Sequence, residues 1–113
     1  MSALPREYHI ASLLIDLEAA LRVAGLWERE APGADALASI EPFCVDTLEF
    51  PQWLQFVFLP RMSALISAGE PLPDRSGIAE MAEMWFQGRR GRSGPPVLAV
   101  LREIDVAISG PGG

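Results

Sequence analysis

Apolar residues recur at helical spacing over residues 6–24. Ile10, Leu13, Leu14, Leu17, Leu21 and Ala24 share one face there, while Asp16, Glu18 and Arg22 fall off it. The pattern predicts a first helix that ends at Gly25, a residue suited to a left-handed C-cap. Leu26 and Trp27 then fold back on the core, with Trp27 closing one end of it. The pattern breaks over residues 28–40, where Glu28, Arg29, Glu30, Pro32 and Gly33 mark a polar connection. Residues 34–38 within it suit a short helical turn. Residues 39–49 read as an extended segment anchored by Pro42 and Phe43.

A second helix is predicted over residues 50–68. Pro51 sits where its missing N–H costs nothing, and Gly69 and Pro71 end the pattern. Its length is about 27 Å at the α-helical rise. At 100° per residue, Trp53, Val57 and Ala64 fall on one side and Phe58, Met62 and Ile66 on the opposite one, with Leu54, Phe56, Leu59 and Leu65 between. A helix apolar on every side requires cover on every side, so it is either central to the fold or partly in an interface. Pro60 lies in its interior, where it removes a hydrogen bond and clashes with the carbonyl of Phe56, predicting a kink.

The loop over residues 69–75 carries two prolines. A third helix follows over residues 77–87, with Asp74 or Ser76 as N-cap, an inner stripe of Ile78, Met81, Ala82, Trp85 and Phe86, and Glu80 and Glu83 facing out. Residues 88–94 form a glycine-rich basic loop. Pro95 and Pro96 open a fourth helix that ends near Ser109. Val97, Leu98, Leu101, Ile104 and Ile108 mark its inner side, with Asp105 the odd polar member. Residues 110–113 are a frayed tail. The chain reads as one all-α domain over residues 1–113, without repeats.

Composition narrows the function classes. The 113 residues are 50% hydrophobic and 21% charged, enough to bury a core without staples. The net charge of −6 argues against a broad phosphate-binding surface, and all nine basic residues are arginine. A single cysteine, Cys44, excludes an internal disulfide and suits a reducing compartment. The first residues lack a basic stretch followed by an apolar core, and the longest apolar run, residues 53–60, is interrupted by Gln55 and too short to cross a bilayer. A soluble cytoplasmic protein is the expectation.

Five candidate sites stand out. A Cys44 nucleophile needs a base, and the single histidine, His9, sits in the first helix with no supporting spacing. Cys44 therefore reads as a small buried hydrophobe. One His, one Cys and scattered carboxylates give no metal-ligand spacing, so neither metal nor cofactor is expected. Asp46 and Thr47 precede the second helix and suit bonds to its free N–H groups; Asp46 equally suits an arginine from another element, and Arg61 a nearby carboxylate. A kink at Pro60 would free a carbonyl for a side chain, a water or a small ligand in a pocket lined by Trp53 and Phe56. Arg89, Arg90 and Arg92, spaced by glycines, suit an anion or RNA backbone but lack P-loop spacing, and a solvated loop is the plainer reading. The aromatic surplus of Trp53, Phe56, Phe58, Trp85 and Phe86 is mostly core, with any excess pointing to an interface.

The stretch from Pro42 to Met62, P-F-C-x-D-T-x-E-x-x-x-W-L-Q-x-V-x-x-P-R-M, resembles the signature of the YqcC-like family of small bacterial helical proteins, and P-L-P at positions 71–73 agrees with it. The resemblance implies a four-helix bundle with a long 28–49 connection and a proline-kinked central second helix. It implies no catalytic residues. Some members are linked by name to a tRNA pseudouridine synthase, an enzyme that needs a catalytic Asp in a G-R-L-D-type loop. This chain has no such loop and is too short for that fold. The expected role is a non-enzymatic bundle acting through protein–protein contact, as a homodimer or accessory subunit. The alternative is an RNA- or anion-binding accessory to tRNA modification that uses Arg89, Arg90 and Arg92.

Overall fold

The computed structural model describes residues 5–72, 77–87 and 94–109. Among them the regular structure is all helical, with five helices and no strand. Helix α1 spans Pro5–Val23, α2 is the single turn Ala34–Leu37, α3 covers residues 50–68, α4 is Ile78–Gln87 and α5 is Gly94–Ser109. Asp74, Ser76, Arg89, Arg90, Arg92 and the tail at 110–113 lie outside the described residues.

The predicted apolar face of α1 is the buried one. Ile10, Leu17 and Leu21 are fully shielded, with Leu13 and Leu14 close behind. They meet Val97, Leu101, Ile104 and Ile108 of α5, against which α1 packs along its length. Leu54, Phe58, Leu59 and Met62 of α3 complete the core from one side, and Ile78, Ala79 and Ala82 of α4 from another. Burying one leucine or isoleucine side chain contributes about 1.5–3 kcal/mol, so this shared interior dominates the stability.

Both α1 and α3 end by the same device. Gly25 (φ +75°) and Gly69 (φ +70°) are left-handed. The N–H of Leu26 donates to the Leu21 carbonyl at 2.9 Å, and that of Glu70 to the Leu65 carbonyl at 2.9 Å. These are Schellman closures, which satisfy carbonyls the helix leaves free.

Helix α3 is not uniform. An α-helical turn, Phe50–Trp53, leads into a π-helical turn, Leu54–Phe58, and α-geometry resumes over Leu59–Ala68. The Leu59 N–H donates to the Leu54 carbonyl, five residues back. Pro60 follows directly and has no N–H to give. The wider π turn places an irregularity where a regular α-helix would have met the proline ring with a carbonyl. Nor is α3 covered on all sides: Trp53, Phe56 and Val57 are half-buried, and Pro60, Arg61, Ser63, Ala64 and Ser67 are exposed.

The connection before α3 corrects the extended segment expected over residues 39–49. It is a stack of turns, in which the Cys44 N–H reaches the Glu41 carbonyl and the Thr47 and Leu48 N–H groups both reach Cys44. The turn at Pro42–Cys44 is left-handed, with Phe43 at φ +59° and Cys44 at φ +51°. Non-glycine residues in that region cost about 1–2 kcal/mol each. Here the Phe43 ring lies 4.8 Å from Trp53 and 5.9 Å from Phe50, contacts that offset the strain.

Candidate functional site

The polar residues of the Pro42–Met62 stretch act mainly as clasps. Ser39 Oγ donates to Asp46 Oδ1 at 2.6 Å, and Thr47 Oγ1 donates to the Ala36 carbonyl at 2.7 Å. Asp46 and Thr47 thus hold the connection to itself and leave the end of α3 to another residue. That residue is Glu49, whose N–H donates to Gln52 Oε1 at 2.8 Å in a capping box. Glu49 also accepts from Trp85 Nε1 at 2.8 Å, which ties α4 to the start of α3. Asp46 and Arg61 are not joined: Arg61 is exposed and forms no ion pair among the described residues.

Gln55 is the residue that reading the chain missed. Its side chain is buried, and its carboxamide bonds both backbone groups of Glu28. Oε1 accepts from the Glu28 N–H at 2.9 Å and Nε2 donates to the Glu28 carbonyl at 2.7 Å. The signal was present, since Gln55 interrupts the longest apolar run and a buried amide needs partners. The clasp fixes the turn after α1 and thereby sets Trp27, over whose ring the Arg22 guanidinium sits at 4.5 Å.

Between α1 and α3 lies an open groove of about 440 Å³. Ala11, Leu14, Ile15 and Glu18 line it from α1, and Leu59, Pro60, Ser63, Ile66 and Ser67 from α3. Trp27 and Gln55 close one end. The site expected around Pro60 is therefore a groove walled by α1 and Trp27. Trp53 and Phe56 do not line it, which corrects the expected lining. Trp53 belongs instead to a ring cluster with Phe43, Phe50 and Phe58. Ile15 is 71% exposed on the groove wall.

Cys44 is buried and His9 exposed, on separate elements. Among the described residues no group of three or more His, Cys, Asp or Glu side chains could hold a metal ion. No helix there is long and apolar enough to cross a membrane.

Residues 9–107 match the family model DUF446, which is described as tRNA pseudouridine synthase C. The chain belongs to the YqcC-like family. It is similar in fold to the solution NMR structure of YqcC from Escherichia coli, with a TM-score of 0.81 and 30% identity over 94% of this chain and 90% of that one. An uncharacterised family protein of Haemophilus influenzae is 40% identical over 70 residues, which are 62% of this chain and 66% of that protein. A protein of Pectobacterium carotovorum named tRNA pseudouridine synthase C is 38% identical over 87 residues, 77% of this chain. Those residues make up only 23% of the Pectobacterium protein, so there the family unit is a small part of a longer chain.

Proposed function

We propose that this chain is a non-enzymatic cytoplasmic four-helix bundle that acts by protein–protein contact, as an accessory subunit of a tRNA pseudouridine synthase. The observation that carries the reading is the Pectobacterium relative, in which a stretch similar to this chain is covalently joined to a much longer remainder under the synthase name. Two units that occupy one chain in one organism are held at high effective concentration, and separate chains with the same job need a binding surface to replace the link. That favours an accessory role over a homodimer. The open groove at Pro60, with Ile15 uncovered on its wall, supplies such a surface. We read α3 as bent at Pro60, because the missing amide and the π turn ahead of it both open the helix there.

The test is co-expression with the synthase encoded in the same genome, followed by co-purification and measurement of tRNA pseudouridylation with and without this chain. A stable complex in nuclease-treated extract is the expected result. A chain that never associates with the synthase removes the reading. The second reading, tRNA contact through Arg89, Arg90 and Arg92, has the family description behind it. It requires salt-sensitive tRNA binding that is lost when the three arginines become serine.

A further inference from the structure

The groove between α1 and α3 has the dimensions and chemistry of a receptor for a helix. From Gln55 to Ser67 the α3 wall runs for about 18 Å, room for roughly three turns of a docked helix. Its apolar lining is Leu14, Leu59 and Ile66, with Trp27 at one end, and the hydroxyls of Ser63 and Ser67 interleave with Ile66 towards the other. An amphipathic helix recognised in such a groove presents apolar anchors at i, i+3 or i+4, and i+7. The trough is open along its length, which suits a segment of polypeptide better than a small molecule, whose sites enclose most of the ligand.

Charge identifies the kind of segment. Glu18 is the single charged side chain lining the groove among the described residues, and Arg22 already neutralises it at 2.9 Å. In the chain the exposed turn Glu28-Arg29-Glu30 follows the lining residue Trp27, and exposed Glu70 follows the lining residue Ser67, so each flanking stretch carries one net negative charge. The chain as a whole carries −6. A protein that handles tRNA presents a basic patch or stripe to phosphate, so segments bearing arginine and lysine lie on its surface. We propose that the groove receives an amphipathic helix of the synthase, with an apolar face on Leu14, Leu59 and Ile66 and basic residues at both ends. The proposal rests on the accessory reading and adds the surface and the chemistry of the partner segment.

The experiment measures binding of the purified synthase to wild type, Ile15→Glu, Ser63→Trp and Val106→Glu, each first checked for native circular dichroism and melting. Ile15, Ser63 and Val106 are all exposed, so these substitutions spare the core. Val106 lines a separate pocket with His9 and Arg102 that shares no residue with this groove. The expected result is about a thirtyfold or greater loss of affinity for both groove variants, the scale of one hot-spot residue, because Ile15→Glu puts a charge on the apolar wall and Ser63→Trp fills the groove. Val106→Glu should bind as wild type does, and raising salt should weaken the wild-type complex. Equal binding by all four proteins overturns the groove proposal and leaves the accessory reading standing. Absence of wild-type binding overturns both. Sedimentation in which wild type self-associates and Ile15→Glu does not would assign the groove to a second copy, and would also overturn the proposal.

Discussion

The carboxamide of Gln55 and the peptide of Glu28 form a closed two-bond pair, N–H to Oε1 at 2.9 Å and Nε2 to carbonyl at 2.7 Å, across 27 residues of chain. One buried side chain thereby fixes the exit from α1 against the π turn of α3. It also holds Trp27, the neighbour of Glu28, at the end of the groove. Replacing Gln55 by leucine keeps the volume and removes both partners at once. The expected cost is about 1–3 kcal/mol, the penalty for part-buried backbone groups left unpaired. Urea unfolding followed by circular dichroism checks it, and a midpoint equal to wild type would show that water replaces the amide without loss.

Gln55→Glu gives the same site a pH dependence with a definite sign. The introduced carboxyl is buried and lies where Nε2 donated to a carbonyl. Its protonated form can still donate there, whereas its ionised form meets the carbonyl lone pairs. Burial and this contact both raise its folded pKa above the unfolded value of about 4.3. Stability from the carboxyl is then fully present below that unfolded value and is lost as pH rises through the raised folded pKa. The variant should approach wild-type stability near pH 4 and fall furthest behind it at neutral pH. A gap between the two urea midpoints that does not change with pH would contradict this account.

Glu49 and Trp85 offer a test of how α4 is tied to α3. The Trp85 indole donates to Glu49 at 2.8 Å, and Glu49 also heads the capping box with Gln52. Glu49→Ala should cost about 1–2 kcal/mol, from a lost cap together with a lost charge-assisted hydrogen bond. Trp85→Phe removes the same hydrogen bond and some packing but leaves the Glu49 cap in place. In a double-mutant cycle the two should couple by about 0.5–1 kcal/mol. Additive losses would mean that the indole bond contributes nothing to stability.

The backbone at the two helix ends makes a cleaner prediction. A Cβ added at Gly25 or Gly69 meets nothing within 4 Å, so only the left-handed backbone opposes a side chain there. Gly25→Ala and Gly69→Ala should each destabilise by about 1 kcal/mol and should add in the double variant, since the sites share no partner. Thermal melts of the three variants settle it.

These results also show which features the chain declares. Helix positions were legible because apolar spacing and the glycines at 25 and 69 are strong local signals. Asp105 stood out as a polar intruder, yet its partner, the Ala79 N–H at 3.0 Å, lies on another helix and cannot be read locally. The turn at Phe43 and Cys44 was missed because neither residue signals a left-handed backbone, and long-range ring contacts impose it. The chain's pattern points to a pocket near Pro60 but to Trp53 and Phe56 as its walls, which they are not. A wheel drawn at 100° per residue loses register when it crosses a π turn, so Trp53 and Ala64, assigned to one side, are half-buried and exposed respectively.

Pro60 connects that geometry to the proposed role. It is exposed and packs no core, yet it occupies a helix interior, where proline costs about 3 kcal/mol relative to alanine. Part of that cost is relieved by the π turn, so Pro60→Ala should stabilise the fold by about 1–2 kcal/mol, less than the full amount. Amide exchange should slow over residues 55–61 as the new N–H finds a carbonyl. If the groove is a docking surface, the same substitution should weaken synthase binding while it raises the melting temperature, because the wall at Pro60 would straighten and narrow. A gain in stability with unchanged affinity would make Pro60 a feature of folding alone. A loss of stability would show that the π turn and the proline are mutually adapted, and that the helix has no better alternative without the proline.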